Sequence, residues 1–204
     1  MTLNTTLGII IVTIAASFFA WNRRDIYKKW IFNPYQVQHH GEYWRFITSG
    51  LIHVNYTHLF FNMFALYFFG QNVSYRFGLR GGWLLIALYI LGIVISDIPT
   101  FLKHRHVPRY NSLGASGGVA AVVFSSIMFD PLNEIFLLFI PIGIPGFILG
   151  ILYILYSYYQ GKRMSDSINH DAHLFGSLFG IIFTVMIRPE VLRNFFDQIL
   201  QWNL

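Results

Sequence analysis

Ser116 stands among glycines and alanines in the stretch Asn111–Phe124, at the opening of an apolar run. A serine hydroxyl is a poor nucleophile until a base takes its proton. His173 opens a second apolar run and can be that base. In a third, His58 and Asn62 are four residues apart, one above the other on a helix face. An imidazole N–H and a side-chain amide aimed at one point can stabilise an oxyanion. The backbone N–H of Ser116 can join them, because a helix start leaves its first N–H groups unpaired. His53 lies about a turn further out and can orient the loop or the other histidine. Asp171, two residues from His173, is awkwardly placed to bridge to it. Asp97 can approach from its own segment, but a Ser–His dyad is the simpler reading.

The elements that must carry these groups are apolar. Of 204 residues, 55% are hydrophobic and 11% charged, against about 25% charged in soluble domains. The chain reads as one all-α, polytopic membrane domain over residues 1–204. A helix needs about 20 mostly apolar residues to cross the hydrocarbon. Six spans are expected: Leu7–Trp21; one within Phe46–Gly70, starting near Asn55; Trp83–Leu102; Gly114–Phe129; Phe147–Tyr159; and Ala172–Ile187. Met1–Thr6 has no Lys or Arg, so a secretory signal peptide is disfavoured. Arg23–Arg45 is too polar to span and suits a partly embedded interfacial loop with Trp30, Tyr43 and Trp44. Ile135–Ile140 is expected along the interface. The tail, 190–204, is amphipathic.

Alternation of six spans puts the starts of the second, fourth and sixth at one membrane face. His53, His58, Asn62, Ser116 and His173 therefore share one depth. Small residues let helices meet there: Gly114, Gly117, Gly118, Ala120 and Ala121 on the fourth span, Gly176 and Gly180 on the sixth.

Each feature also has a plainer explanation. Net charge +5 could suggest nucleic acid, but the cations are scattered between apolar runs and read as membrane-flanking charges; no nucleic-acid partner is expected. Gly114–Gly118 matches a nucleophile elbow, which requires a strand–turn–helix context that is missing here. The glycines alone would be packing. His53, His58 and His173 could bind a metal in a transporter or metal-handling protein, but neither a H-E-x-x-H pattern nor any cysteine supports that. No metal or cofactor is called for. The coincidence of Ser, His, His and Asn at one depth favours function, because polar groups in a bilayer are costly.

With those residues in place, the chain resembles the rhomboid intramembrane serine protease family. Tyr43-Trp44-Arg45 resembles its loop motif, and His53 through His58 to Asn62 and Met63 its second-helix motif. Gly114-Ala115-Ser116-Gly117 resembles its G-x-S-G motif, and Ala172-His173 through Gly176 to Gly180 its sixth-helix motif. The core motifs fall within 41–180. The resemblance implies a six-helix bundle and an endopeptidase that cuts transmembrane segments of single-span partners. It implies Ser116 as nucleophile, His173 as general base, His58 and Asn62 with the Ser116 N–H as oxyanion hole, and His53 in support. It also implies a water-filled cavity, lateral substrate entry near Phe147–Tyr159, and Gly161–His170 as a cap. A family member that binds transmembrane helices without cutting them is the alternative. Membrane lipids are the expected surroundings, in the plasma or inner membrane of a bacterium; the oligomeric state is open.

Three departures stand out. Phe175 replaces a small residue, so it either crowds the contact between the fourth and sixth spans or turns to lipid. Ala120 leaves no aromatic under the histidine ring. The odd loops carry most Lys and Arg, which by the positive-inside rule puts the active-site face in the cytoplasm. The family resemblance puts that face outside. The family orientation is preferred, because a folded first loop does not count as a free one.

Overall fold

The computed structural model describes residues 5–136, 141–163 and 168–202. Helix α1 (Thr5–Asn22) leads into three short helices, α2 (Arg24–Trp30), α3 (Pro34–His40) and α4 (Arg45–Thr48). Then follow α5 (Tyr56–Arg76), α6 (Gly81–His104), α7 (Ser116–Phe129), α8 (Gly146–Arg163), α9 (His170–Ile187) and α10 (Glu190–Leu200). Three apolar stretches are long enough to cross a membrane on length and hydropathy: α1, Gly78–His104 and α9. The apolar α7 is shorter.

Helix α7 is the axis of the bundle. It is apolar nearly all round, the pattern of a helix enclosed on every side. Eleven of its fourteen residues are buried, and α5, α6, α8, α9 and α10 all pack on it. Its partners come close because little side chain intervenes. A Cβ on Gly176 would fall 2.3 Å from the Gly117 carbonyl oxygen, and one on Gly180 2.2 Å from that of Ala121. The α7 and α9 backbones are therefore in direct contact, as the small residues led one to expect. A Cβ on Gly118 would likewise fall 2.6 Å from the Tyr89 carbonyl of α6. A larger apolar layer joins α5, α6 and α7 through Leu59, Met63, Leu66, Leu85, Leu88, Tyr89 and Val122. Phe60, Phe64 and Phe68 of α5 are exposed, the lipid-facing side of a membrane helix.

Residues 23–45 fold as α2, α3 and the start of α4 rather than as a loop. Arg45 is buried and pins them together. Its guanidinium donates to the carbonyls of Lys28 (2.9 Å) and Ile31 (2.6 Å) and to the Glu42 carboxylate (2.5 Å). Paired backbone hydrogen bonds between Phe32 and Ser112 (2.9 and 3.0 Å) then tie this region to the segment preceding Ser116. Asn33 adds bonds to the Pro108 carbonyl and the Asn111 side chain.

The chain is mostly helical, as expected, with one short ribbon besides: β1 (Glu134–Phe136) pairs antiparallel with β2 (Gly143–Pro145), Ile135 opposite Ile144. An open ribbon of two strands pairs only the backbone groups that face each other and leaves its outer edges unpaired. Residues 137–140 of the expected interfacial segment lie outside the described residues, as do 164–167 of the expected cap.

Candidate active site

Five local devices set the site. Asn55 caps α5, its side chain accepting from the His58 N–H at 2.8 Å, so His58 and Asn62 occupy the first two turns of that helix. Gly114 has φ +122°, and a Cβ there would fall 2.4 Å from His58 Cε1. Only glycine allows the turn into α7 and the approach of the imidazole together. Ser116 is the first residue of α7, where its N–H has no carbonyl within the helix to bond.

His53 is fully buried in the loop before α5. Its Nε2 accepts from the Ala115 N–H at 3.4 Å, which leaves the proton on Nδ1, facing Ser17 Oγ at 3.1 Å. The Ser17 hydroxyl donates onward to the Leu51 carbonyl, and Trp21 Nε1 donates to the His53 carbonyl at 2.7 Å. The His53 ring meets His58 edge-on at 5.0 Å. His53 thus holds α1, the residue before Ser116 and His58 in register. With both ring nitrogens engaged it is poorly suited to ligate a metal.

On α9, Asn169 caps the helix: its Oδ1 accepts from the Ala172 N–H (3.1 Å) and from the Thr100 hydroxyl (3.0 Å). Its Nδ2 donates to the buried Asp97 at 3.4 Å. The His173 N–H donates to the Asn169 carbonyl. Asp97 therefore meets the cap of the helix that bears His173. Asp171 pairs instead with Lys103 at 3.1 Å.

Ser116, His58, Asn62 and His173 line one cavity of about 470 Å³, with Tyr153 of α8 and otherwise apolar side chains. Tyr153 lies nearly parallel to the His173 ring, 6.1 Å between centroids. Ala120, also on the cavity wall, leaves that space to an aromatic from another helix. Phe175 is 38% exposed and points away from the α7–α9 seam. Asn62 Nδ2 donates to the His58 carbonyl at 2.9 Å. A hydroxyl, two imidazoles and an amide around one space suffice chemically for nucleophilic attack and for holding an oxyanion.

The sequence singled out neither Tyr153 nor Asn169. An Asn before a helical run with Asp171 in its first turn is an N-cap signal that would have found Asn169. Tyr153 carries no comparable signal, since only the packing of α8 brings it to the histidine.

Known proteins resemble this chain over most of its length. The family profile described as "Rhomboid domain" matches residues 40–190. "RHOMBOID-like protein 12, mitochondrial" of Arabidopsis thaliana is 26% identical over 93% of this chain and 60% of its own length. "Rhomboid protease GlpG" of Haemophilus influenzae is 28% identical over 73% of this chain and 72% of its own length. "Rhomboid protease AarA" of Providencia stuartii is 27% identical over 48% of this chain and 38% of its own. Against the mitochondrial relative and AarA the chain spans less than two thirds of the relative's length. Organelle and bacterial names occur together, so the comparisons give the expected bacterial membrane no support; an integral membrane location is what the matched domain and the apolar helices carry. The chain belongs to the rhomboid family.

Proposed function

We propose that this chain is an intramembrane serine endopeptidase that cuts transmembrane segments of single-span membrane proteins through a Ser116–His173 dyad. The observation that carries the reading is the single cavity lined by Ser116, His173, His58 and Asn62. The protease names of GlpG and AarA support it by kinship.

In this reading one domain, 1–204, spans the membrane six times, with α1, α5, α6, α7, α8 and α9 as the spans. Helix α7 has 14 residues, about 21 Å of rise against about 30 Å of hydrocarbon. A helix that short leaves its first residue below the membrane surface, where the cavity still admits water.

His173 takes the proton from Ser116 Oγ as the oxygen attacks the scissile carbonyl carbon. The carbonyl π electrons move onto oxygen, and the oxyanion is held by the Ser116 N–H, His58 and the Asn62 amide. The intermediate collapses as the C–N bond breaks, and His173 gives its proton to the departing amine. Water then attacks the acyl-serine, His173 again acting as base, which restores Ser116 and releases the acid. His53 acts through His58 and Ala115, as a positioning residue.

Helix binding without cleavage is the second reading. It draws on Asn62, one of whose two Nδ2 hydrogens is already given to the His58 carbonyl, which leaves that amide a single donor for an oxyanion. Purified protein in detergent is given a fluorophosphonate probe and a single-span substrate. Labelling and cleavage are expected for the wild type, and Ser116→Ala is expected to lose both, by roughly a thousandfold or more. Binding of substrate by both proteins with cleavage by neither would replace the first reading with the second.

A further inference from the structure

A second cavity, about 560 Å³, lies beyond the first and shares four lining residues with it: Phe61, Ala65, Phe69 and Ile135. The two form one trough along α5. Between Asn62 in the first and Asn72 in the second, α5 rises about 15 Å. The near end holds the Ser116 site. The far end is polar: Asn72, Ser126, Asn133 and Glu134 line it.

The charges at the far end do not balance. Asp130 receives the Arg76 guanidinium on both its oxygens, and Asn72 Nδ2 donates to it at 3.0 Å. Glu134 has no such partner. It lies on β1 against Gly143, where a Cβ would fall 2.4 Å from its Oε2. Among the described residues no cation is paired with it. One carboxylate is thus neutralised from within, while its neighbour, exposed on β1, lines the far end of the trough without a cationic partner.

We infer that the far end of the trough is a charge-selective subsite: Glu134 receives a Lys or Arg of the bound transmembrane segment, about ten helical residues from the bond at Ser116. The inference rests on the proposed occupancy of the trough by a partner helix and adds which helix is preferred. A helix matches the trough better than an acyl chain does, because it can present a polar group at both ends. Asn72 Oδ1 and Ser126 can take the remaining ammonium or guanidinium protons. Lys and Arg suit this place because they extend an apolar stem along the wall and leave the charge at its end.

The test uses the full chain in phosphatidylcholine nanodiscs and fluorescent single-span peptides. One residue, placed 8 to 13 positions from the cut bond, is Lys, Gln or Glu. Binding is measured on Ser116→Ala, so that turnover plays no part. Lys peptides are expected to bind about three- to tenfold more tightly than Gln peptides at one or two positions, and Glu peptides more weakly. Glu134→Gln should flatten the series and Glu134→Lys should invert it. Equal binding of Lys and Glu peptides, or a preference that survives Glu134→Gln, overturns the inference. So does a preference that vanishes when phosphatidylethanolamine replaces half the lipid, since the lipid amine would then be the occupant. Cleavage of the same peptides by wild type is scored separately: charge-dependent binding without cleavage would sink the protease reading and leave this one standing, and cleavage with charge-blind binding would do the reverse.

Discussion

Helix α7 has two flanks of opposite construction. Toward α9 the contact is backbone on backbone, made by Gly117, Ala121, Gly176 and Gly180. Between α5 and α8, which also pack on it, it borders a cavity lined by Phe61, Phe69, Leu149 and Tyr153. In lipid, helices do not gain from hiding apolar surface from water, so close small-residue contact is what fixes one helix against another. The seam is therefore the part that must not move, and it carries the hydroxyl and the imidazole. On the proposed function the trough is the part that admits a guest, and its walls are side chains rather than backbone. The two flanks should answer to substitution in opposite ways.

The largest effect is expected at the seam. Gly176→Ala adds one methyl where a backbone oxygen already sits 2.3 Å away, and backbone cannot swing aside as a side chain would. Separation of α7 from α9 should lower stability by about 1–3 kcal/mol and reduce fluorophosphonate labelling of Ser116 in proportion to the displaced His173. Thermal unfolding in detergent and the labelling rate measure the two effects. Unchanged values for both would mean the seam is not the fixed part.

A much bulkier change should be gentler to the fold when made on the other flank. Ala65 lines both cavities, so Ala65→Phe fills the trough instead of displacing a helix. Thermal stability should stay within about 1 kcal/mol of wild type, as for a substitution that enters existing space. Labelling by a small fluorophosphonate should persist while cleavage of a transmembrane substrate falls about tenfold or more, mostly through KM. Equal loss of both activities would show that the trough and the seam are not separable.

The same contrast explains what could be read in advance. The seam was legible because its determinants are local: glycines and alanines spaced along two helices, and an Asn55 that marks where α5 begins. For Phe175 the sequence left two places open, in the seam or toward lipid, and its exposure favours the second. The trough was not legible, since it is made of residues absent from contact, from α5, α7, β1 and α8 at once. The β1–β2 ribbon was missed for a related reason. Its strands are three residues each, too short to show a pattern, and its pairing depends on a return strand seven residues or more away. His53 was expected to orient the loop or the other histidine, but its bonds to Ser17 and Ala115 need α1 and α7 already packed. Asp97 was seen as a group that could approach His173; it reaches the helix cap instead.

The smallest predicted effect concerns that cap. Asn169→Ala removes the side chain that bonds the Ala172 N–H and receives Thr100, and it strips the buried Asp97 of its amide partner. Loss of a cap costs about 1 kcal/mol. A purely structural role would lower thermal stability and leave the surviving protein's turnover intact. The Ala172 N–H that this side chain holds, however, lies in the same first turn of α9 as His173, so loosening the cap loosens the turn that aims the imidazole. Turnover per folded molecule should then fall several-fold with KM unchanged, and Asn169→Asp, which keeps the cap acceptor but places a carboxylate beside Asp97, should recover stability less well than Asn169→Ser. A variant with wild-type turnover at every temperature below unfolding would reduce Asn169 to a cap alone, and would leave the seam as the sole determinant of where His173 points.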